Sequence, residues 1–156
     1  PTRRSSDLYA TAFFGSAKVI EAFGGYTTYD DSEDWCHINY FLKEPERIGR
    51  VLIANQSSFS YGRLLETIDA IKLLNSPCLI VSDGDAGDFP EGMEVFITPF
   101  AKYPWMNPLI QHLVFDVIAG YIGALKGVKE FREDDKRYDS EAASNRLKGG
   151  SEIVVL

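Results

Sequence analysis

Residues 51–81 read VLIANQSSFSYGRLLETIDAIKLLNSPCLIV. Residues 51–54 are a short continuous apolar run, the pattern of a strand buried on both faces. Asn55, Gln56, Ser57 and Ser58 leave its carboxyl end. Residues 61–75 then set Leu64, Leu65, Ile68, Ile71 and Leu74 at helical spacing on one inward face. Residues 78–81 repeat the apolar run. A strand, a helix and a second buried strand joined by short loops imply a parallel pair with a helical crossover. Further on, residues 95–98 supply another short strand. Asn107–Pro108 reads as an N-cap and first-turn pair. It opens the longest helix, to about Lys126, with Ile110, Leu113, Val114, Val117, Ile118, Tyr121 and Leu125 facing the core. Gly127 ends it. This order predicts an α/β domain, three-layer αβα, with a mainly parallel sheet and helices on both faces.

The chain has 156 residues, enough for one domain with a sizeable core. Apolar residues make up 45% and charged residues 25%, as in an ordinary globular protein. The net charge of −7 argues against a nucleic-acid or anionic-membrane surface. No apolar run reads as a membrane span and no signal-peptide pattern opens the chain. Cys36 and Cys78 show no framework spacing, which fits reduced thiols in a cytoplasmic protein.

Residues 1–8, PTRRSSDL, lack an apolar period and are out of keeping with the acidic remainder. They match the translation of a sequencing-adapter oligonucleotide. They are expected to be foreign to the domain and to pack against nothing, which leaves residues 9–156 as the domain, without its first strand. Residues 10–23 form a helix with Phe13, Ala17 and Ile20 on one face and Phe14, Lys18 and Glu21 on another. Gly24 and Gly25 stop it, and residues 26–29, rich in Thr and Tyr, read as a strand. Asp30, Asp31, Ser32, Glu33 and Asp34 stack N-cap residues and first-turn carboxylates, so a helix bearing His37 opens near Glu33 and runs to about Leu42.

Lys18 and Glu21, three residues apart, leave the helix on one face. A carboxylate, an amine and an imidazole thus fall within one α-β-α unit, the groups needed to move protons on a sugar. The plainer reading is a surface ion pair and a structural histidine. Residues 83–88, with Glu94, faintly resemble a calcium loop, but the glycine comes one place early and Pro90 interrupts; a solvated acidic turn is expected, and no metal. His112 and Asp116 read as a surface pair one turn apart. Residues 129–146 are strongly charged and read as extended and mostly solvated, and the apolar residues 153–156 are expected to dock.

Tyr9, Ala12, Lys18, Glu21, Asp34 and His37 match, without a gap, a Y-x-x-A helix ending in a Lys–Glu pair, then a strand, then an acidic-x-x-His turn. In this the chain resembles the sugar-isomerase (SIS) domain family. The likeness is to the second SIS half of phosphosugar isomerases and deglycases, such as the isomerase part of glucosamine-6-phosphate synthase. Asn145-Arg146-Leu147-Lys148 is similar to the family's closing run. The resemblance implies an SIS fold and a sugar phosphate or sugar-amine phosphate substrate, with no metal or organic cofactor. It implies that Glu21 moves a proton between C1 and C2, that His37 opens the ring in the neighbouring subunit's site, and that Lys148 meets the carbonyl, with Lys18 beside Glu21. Asn55, Ser57, Ser58 and Ser60 resemble the family's phosphate loop. A homodimer through SIS halves is implied, with this chain inactive by itself. Two positions depart from the pattern: Phe14 stands where members often have a second carboxylate, and Ile38-Asn39 where they have Gly-Pro. A non-catalytic SIS module that senses a sugar phosphate is the alternative.

Overall fold

Three apolar runs rich in Val, Ile and Leu become strands because a pleated, half-buried surface suits branched side chains. They are β1 (Arg50–Ala54), β2 (Cys78–Ser82) and β3 (Glu94–Ile97) in the computed structural model, which describes residues 6–129. The strands are parallel in the order β1-β2-β3, with Ala54 opposite Ser82 and Ser82 opposite Ile97. The α/β reading of residues 51–81 is therefore correct in element type and direction.

Between β1 and β2 runs α3 (Tyr61–Leu73). It lays Leu64 and Ile68 on the sheet face formed by Leu52, Ala54, Cys78, Ile80 and Val95, and Phe89 closes the cluster. Leu65 and Leu74, expected inward, are half-buried, and Thr67 takes a fully buried place by donating to Arg63 O at 2.9 Å. Full burial of each large apolar side chain contributes about 1.5–3 kcal/mol. β1 was expected to be buried on both faces, yet Val51 is exposed and only Ile53 and Ala54 are fully buried. The reason is position: among the described residues β1 has one strand neighbour, so its outer edge stays uncovered.

A second layer is the pair α1 (Ser6–Phe23) and α4 (Asn107–Leu125). Helix α1 starts at Ser6, so the last three residues of the octapeptide continue the helix and Leu8 is half-buried. Small residues set the contact. A Cβ on Gly15 would stand 2.4 Å from the Phe115 ring, and one on Gly123 would meet Ala22 O at 3.7 Å.

The inward face of α4 differs from the expected one. Asn107, Gln111, Phe115, Ala119 and Gly123 are buried, while Leu113, Val117, Tyr121 and Leu125 are 65% to 71% exposed. Ile110, Val114 and Ile118 are half-buried. Close approach to α1 and hydrogen bonds to the strand ends chose a small and polar face over the largest apolar one. Asn107 is no cap either. It is the first helical residue, and its amide donates to Asp83 instead. With the 3-10 turn before it, the helical stretch Pro104–Leu125 spans 22 residues and is long and apolar enough to cross a membrane by length and composition. The expectation of no such run is amended accordingly.

Residues 26–29 form no strand. Tyr26 is exposed, and Tyr29 instead sets its ring edge-on against Tyr9 and Phe13, each at 5.1 Å. β-propensity without a neighbouring strand leaves coil. The next helix, α2 (Ser32–His37), is capped by Asp31, whose side chain accepts from Asp34 N at 2.8 Å. It stops early because Ile38 leaves helical geometry at φ −122 and ψ −65, and Asn39–Phe41 follow as a 3-10 turn.

Both cysteines are free thiols. Burial pushes Cys78 from 9.0 up to about 12, against the smaller pull of Arg50. A raised thiol binds its proton more tightly in the folded state, so the stability it contributes is full below pH 9 and is lost as pH rises toward 12. At pH 8 a thiol reagent is expected to leave Cys78 unmodified in the native chain and to label it on unfolding. Equal labelling rates in both states would contradict this placement.

Candidate functional site

Lys18 and Glu21 stand on the last turns of α1. Lys18 Nζ lies 2.7 Å from Glu21 Oε2, and the Glu21 side chain is 57% exposed. The Glu21 hydrogen bond holds the Lys18 ammonium above its ordinary pKa, with smaller help from Asp116 on α4 and burial opposing. Gly24, at φ +72, ends the helix, donating to Ile20 O at 2.9 Å. The space above Gly25 is taken by the Phe23 ring, which a Cβ there would meet at 2.4 Å.

Phe14, where a second carboxylate would complete the family pattern, instead fills an aromatic stack. Its ring lies parallel to His112 at 4.1 Å, and Lys18 Nζ sits 5.3 Å from its centroid. His112 is thus half-buried against Phe14 rather than paired at the surface with Asp116. The ring makes the Lys18 neighbourhood apolar on one side and keeps its ammonium directed at Glu21.

His37 belongs to a different local group. Its Nε2 lies 2.8 Å from Glu33 Oε1, while Arg63 Nε reaches Glu33 Oε2 at 2.7 Å and Arg63 also pairs with Glu66 at 2.6 Å. The His37 hydrogen bond first, and Arg63 second, hold the Glu33 carboxyl below its usual range. This network ties α2 to α3, and the His37 side chain is 69% exposed.

The loop after β1 is a third group. Asn55 turns inward, where its Oδ1 accepts from Gln111 Nε2, and Ser57 stays exposed. Ser58 and Ser60 pair through their hydroxyls at 3.0 Å, and Ser60 N donates to Ser58 Oγ at 3.3 Å. Of the four loop residues, three are thus engaged within the chain and Ser57 faces solvent. Lys148 lies outside the described residues, as do the expected charged stretch beyond 129 and the apolar ending.

The acidic turn is likewise satisfied from within. Asp85 caps a 3-10 turn by accepting from Gly87 N at 2.8 Å, and Asp88 accepts from Gln56 Nε2 at 2.7 Å. Among the described residues no three His, Cys, Asp or Glu side chains are grouped as metal ligands. Sequence reasoning missed the bonds of Asp83 with Asn107 and of Asn55 with Gln111, which join the strand ends to α4. The one available signal was the placing of polar residues directly after β1 and β2, where parallel sheets gather polar groups.

The chain matches no family model, and comparison with curated proteins finds no match.

Proposed function

We propose that this chain is part of an SIS-type, cytoplasmic phosphosugar isomerase or sugar-amine phosphate deglycase that pairs as a homodimer. In this reading the sugar opens, Glu21 removes and returns a proton between C1 and C2, and an enediol or enaminol links the two states. Lys18 meets the developing oxyanion, His37 opens the ring, and Lys148 meets the carbonyl. Ser57, Ser58 and Ser60, with Asn55 bracing the loop, receive the phosphate. The observation that carries the proposal is the 2.7 Å Lys18–Glu21 pair at the end of α1, beside an apolar aromatic stack, in an α/β chain.

A second reading is a sugar-phosphate sensor without turnover. It is favoured by the exposure of Glu21 and by the engagement of His37 with Glu33. Incubating the complete protein with hexose phosphates and sugar-amine phosphates, while measuring binding by calorimetry and products by NMR, separates the two. Interconversion or amine release supports the enzyme; saturable binding with unchanged ligand supports the sensor.

A further inference from the structure

The outer side of α4 carries a row of apolar side chains that no described residue covers. Trp105, on the 3-10 turn before the helix, is followed at every fourth position by Leu109, Leu113, Val117, Tyr121 and Leu125. Each of the six is 62% to 71% exposed. Helix residues four apart lie one above the other, so they form a single ridge. None of them is charged. The one carboxylate of α4, Asp116, acts on Lys18 of α1 instead, and helps to raise its pKa. Gly120, beside Val117 and Tyr121, is exposed too, and a Cβ there would meet nothing within 4 Å. Glycine inside a helix is unfavourable against alanine, and nothing in the described chain comes near enough to require it. A second backbone approaching from outside does require it.

A large side chain presents roughly 150–250 Å² when bare, so six at about two-thirds exposure leave on the order of 700 Å². The largest patch on an ordinary monomer is about 300–600 Å², whereas each partner in a stable interface gives about 800 Å². An uncharged ridge meets its own copy across a twofold axis without like-charge repulsion, and ridges of this spacing interdigitate at a crossing of about −50°. A bilayer fits less well. The opposite side of α4 holds Asn107 and Gln111, 3% and 0% exposed, bonded to Asp83 and Asn55 at the strand ends. The net charge of −7 also opposes an anionic lipid surface. We propose that a second copy of this chain seats on the ridge, with α4 crossing its counterpart near Val117 and Gly120. This face is inferred from α4 alone and does not depend on the sugar chemistry, although it supplies the homodimer proposed above.

The test is sedimentation of the 156-residue chain at about 1–100 μM, where an interface of this size is expected to associate. A reversible dimer is expected. Val117→Glu sets two carboxylates across the axis, and Gly120→Leu fills the close approach. Each is expected to raise the dimer dissociation constant by about 30-fold or more. Both positions are exposed, so the thermal midpoint of the dilute monomer should stay at the parental value, or rise in Gly120→Leu. Leu73→Glu, at an 81% exposed position on α3, should dimerise like the parent. Hydrogen exchange of the parent needs no variant: amides over residues 109–125 should slow as concentration rises. A parent that stays monomeric, exchange independent of concentration, a dimer kept by both α4 variants, or one lost equally in Leu73→Glu would overturn the inference. So would flotation with phosphatidylcholine vesicles that Val117→Glu abolishes, which would assign the ridge to a bilayer. A dimer that leaves every sugar phosphate unchanged keeps this face and removes the isomerase reading; a monomer that turns sugar phosphates over does the reverse.

Discussion

Glu21→Gln in the complete protein is expected to lower sugar-phosphate isomerisation by about 10²–10⁴-fold, the usual contribution of a positioned proton-transfer base. The hydrogens at C1 and C2 of an open-chain sugar are weak acids, so their removal needs a base within hydrogen-bond reach. Gln keeps the volume of Glu21 and can still accept from Lys18 Nζ, now 2.7 Å away, but it takes no proton. Binding of the sugar phosphate should therefore hold near the parental value while turnover falls. Glu21→Asp, which pulls the carboxylate back, should fall between the two. Parental turnover in Glu21→Gln would place the base elsewhere and withdraw Glu21 from the proposed mechanism.

The second large effect is expected from Gly15→Leu. Helix propensity alone favours the change by somewhat less than the roughly 0.8–1 kcal/mol that separates glycine from alanine, because glycine loses the most backbone freedom in a helix. Packing opposes it. The Phe115 ring already lies 2.4 Å from where a Cβ would stand, so the ring must move or α1 must lift from α4. Overpacking costs about 1–3 kcal/mol and wins over the propensity gain when α4 cannot yield. A lowered thermal midpoint is expected, with partial rescue by Phe115→Ala, since residues in contact couple by about 0.5–3 kcal/mol. Because α1 carries Lys18 and Glu21, the same variant should reduce turnover as well as stability. A midpoint raised by the propensity term would show that α1 and α4 do not meet at Gly15.

The β-α-β unit was legible because each of its elements announces itself locally. Val51 to Ala54 and Cys78 to Val81 are unbroken apolar runs, and Leu64, Ile68 and Ile71 recur at helical spacing. The Lys18–Glu21 pair was legible for the same reason, being separated by one helical turn. What failed depended on distant partners. Residues 26–29 have strand-forming side chains but no strand beside them. Leu113, Val117, Tyr121 and Leu125 mark the more apolar stripe of α4, yet the buried stripe was chosen by Gly15 of α1 and by Asp83 and Asn55 at the strand ends. Asn107 carried a cap's chemistry and was recruited by a carboxylate 24 residues away. Of the proposed site, Lys18 and Glu21 meet as the sequence suggests, whereas His37 is engaged by Glu33, a partner one turn back that local spacing also allowed.

The most direct measurement of the central claim is proton NMR of the complete protein with aldose, ketose and sugar-amine phosphates in deuterium oxide. A carboxylate shuttling a proton through an enediol or enaminol exchanges part of that proton with solvent at each passage. The account predicts deuterium entering at C1 or C2 of a sugar phosphate, at a rate that falls in parallel with turnover in Glu21→Gln. A sugar phosphate that binds at saturation yet keeps its C1 and C2 hydrogens indefinitely would contradict it.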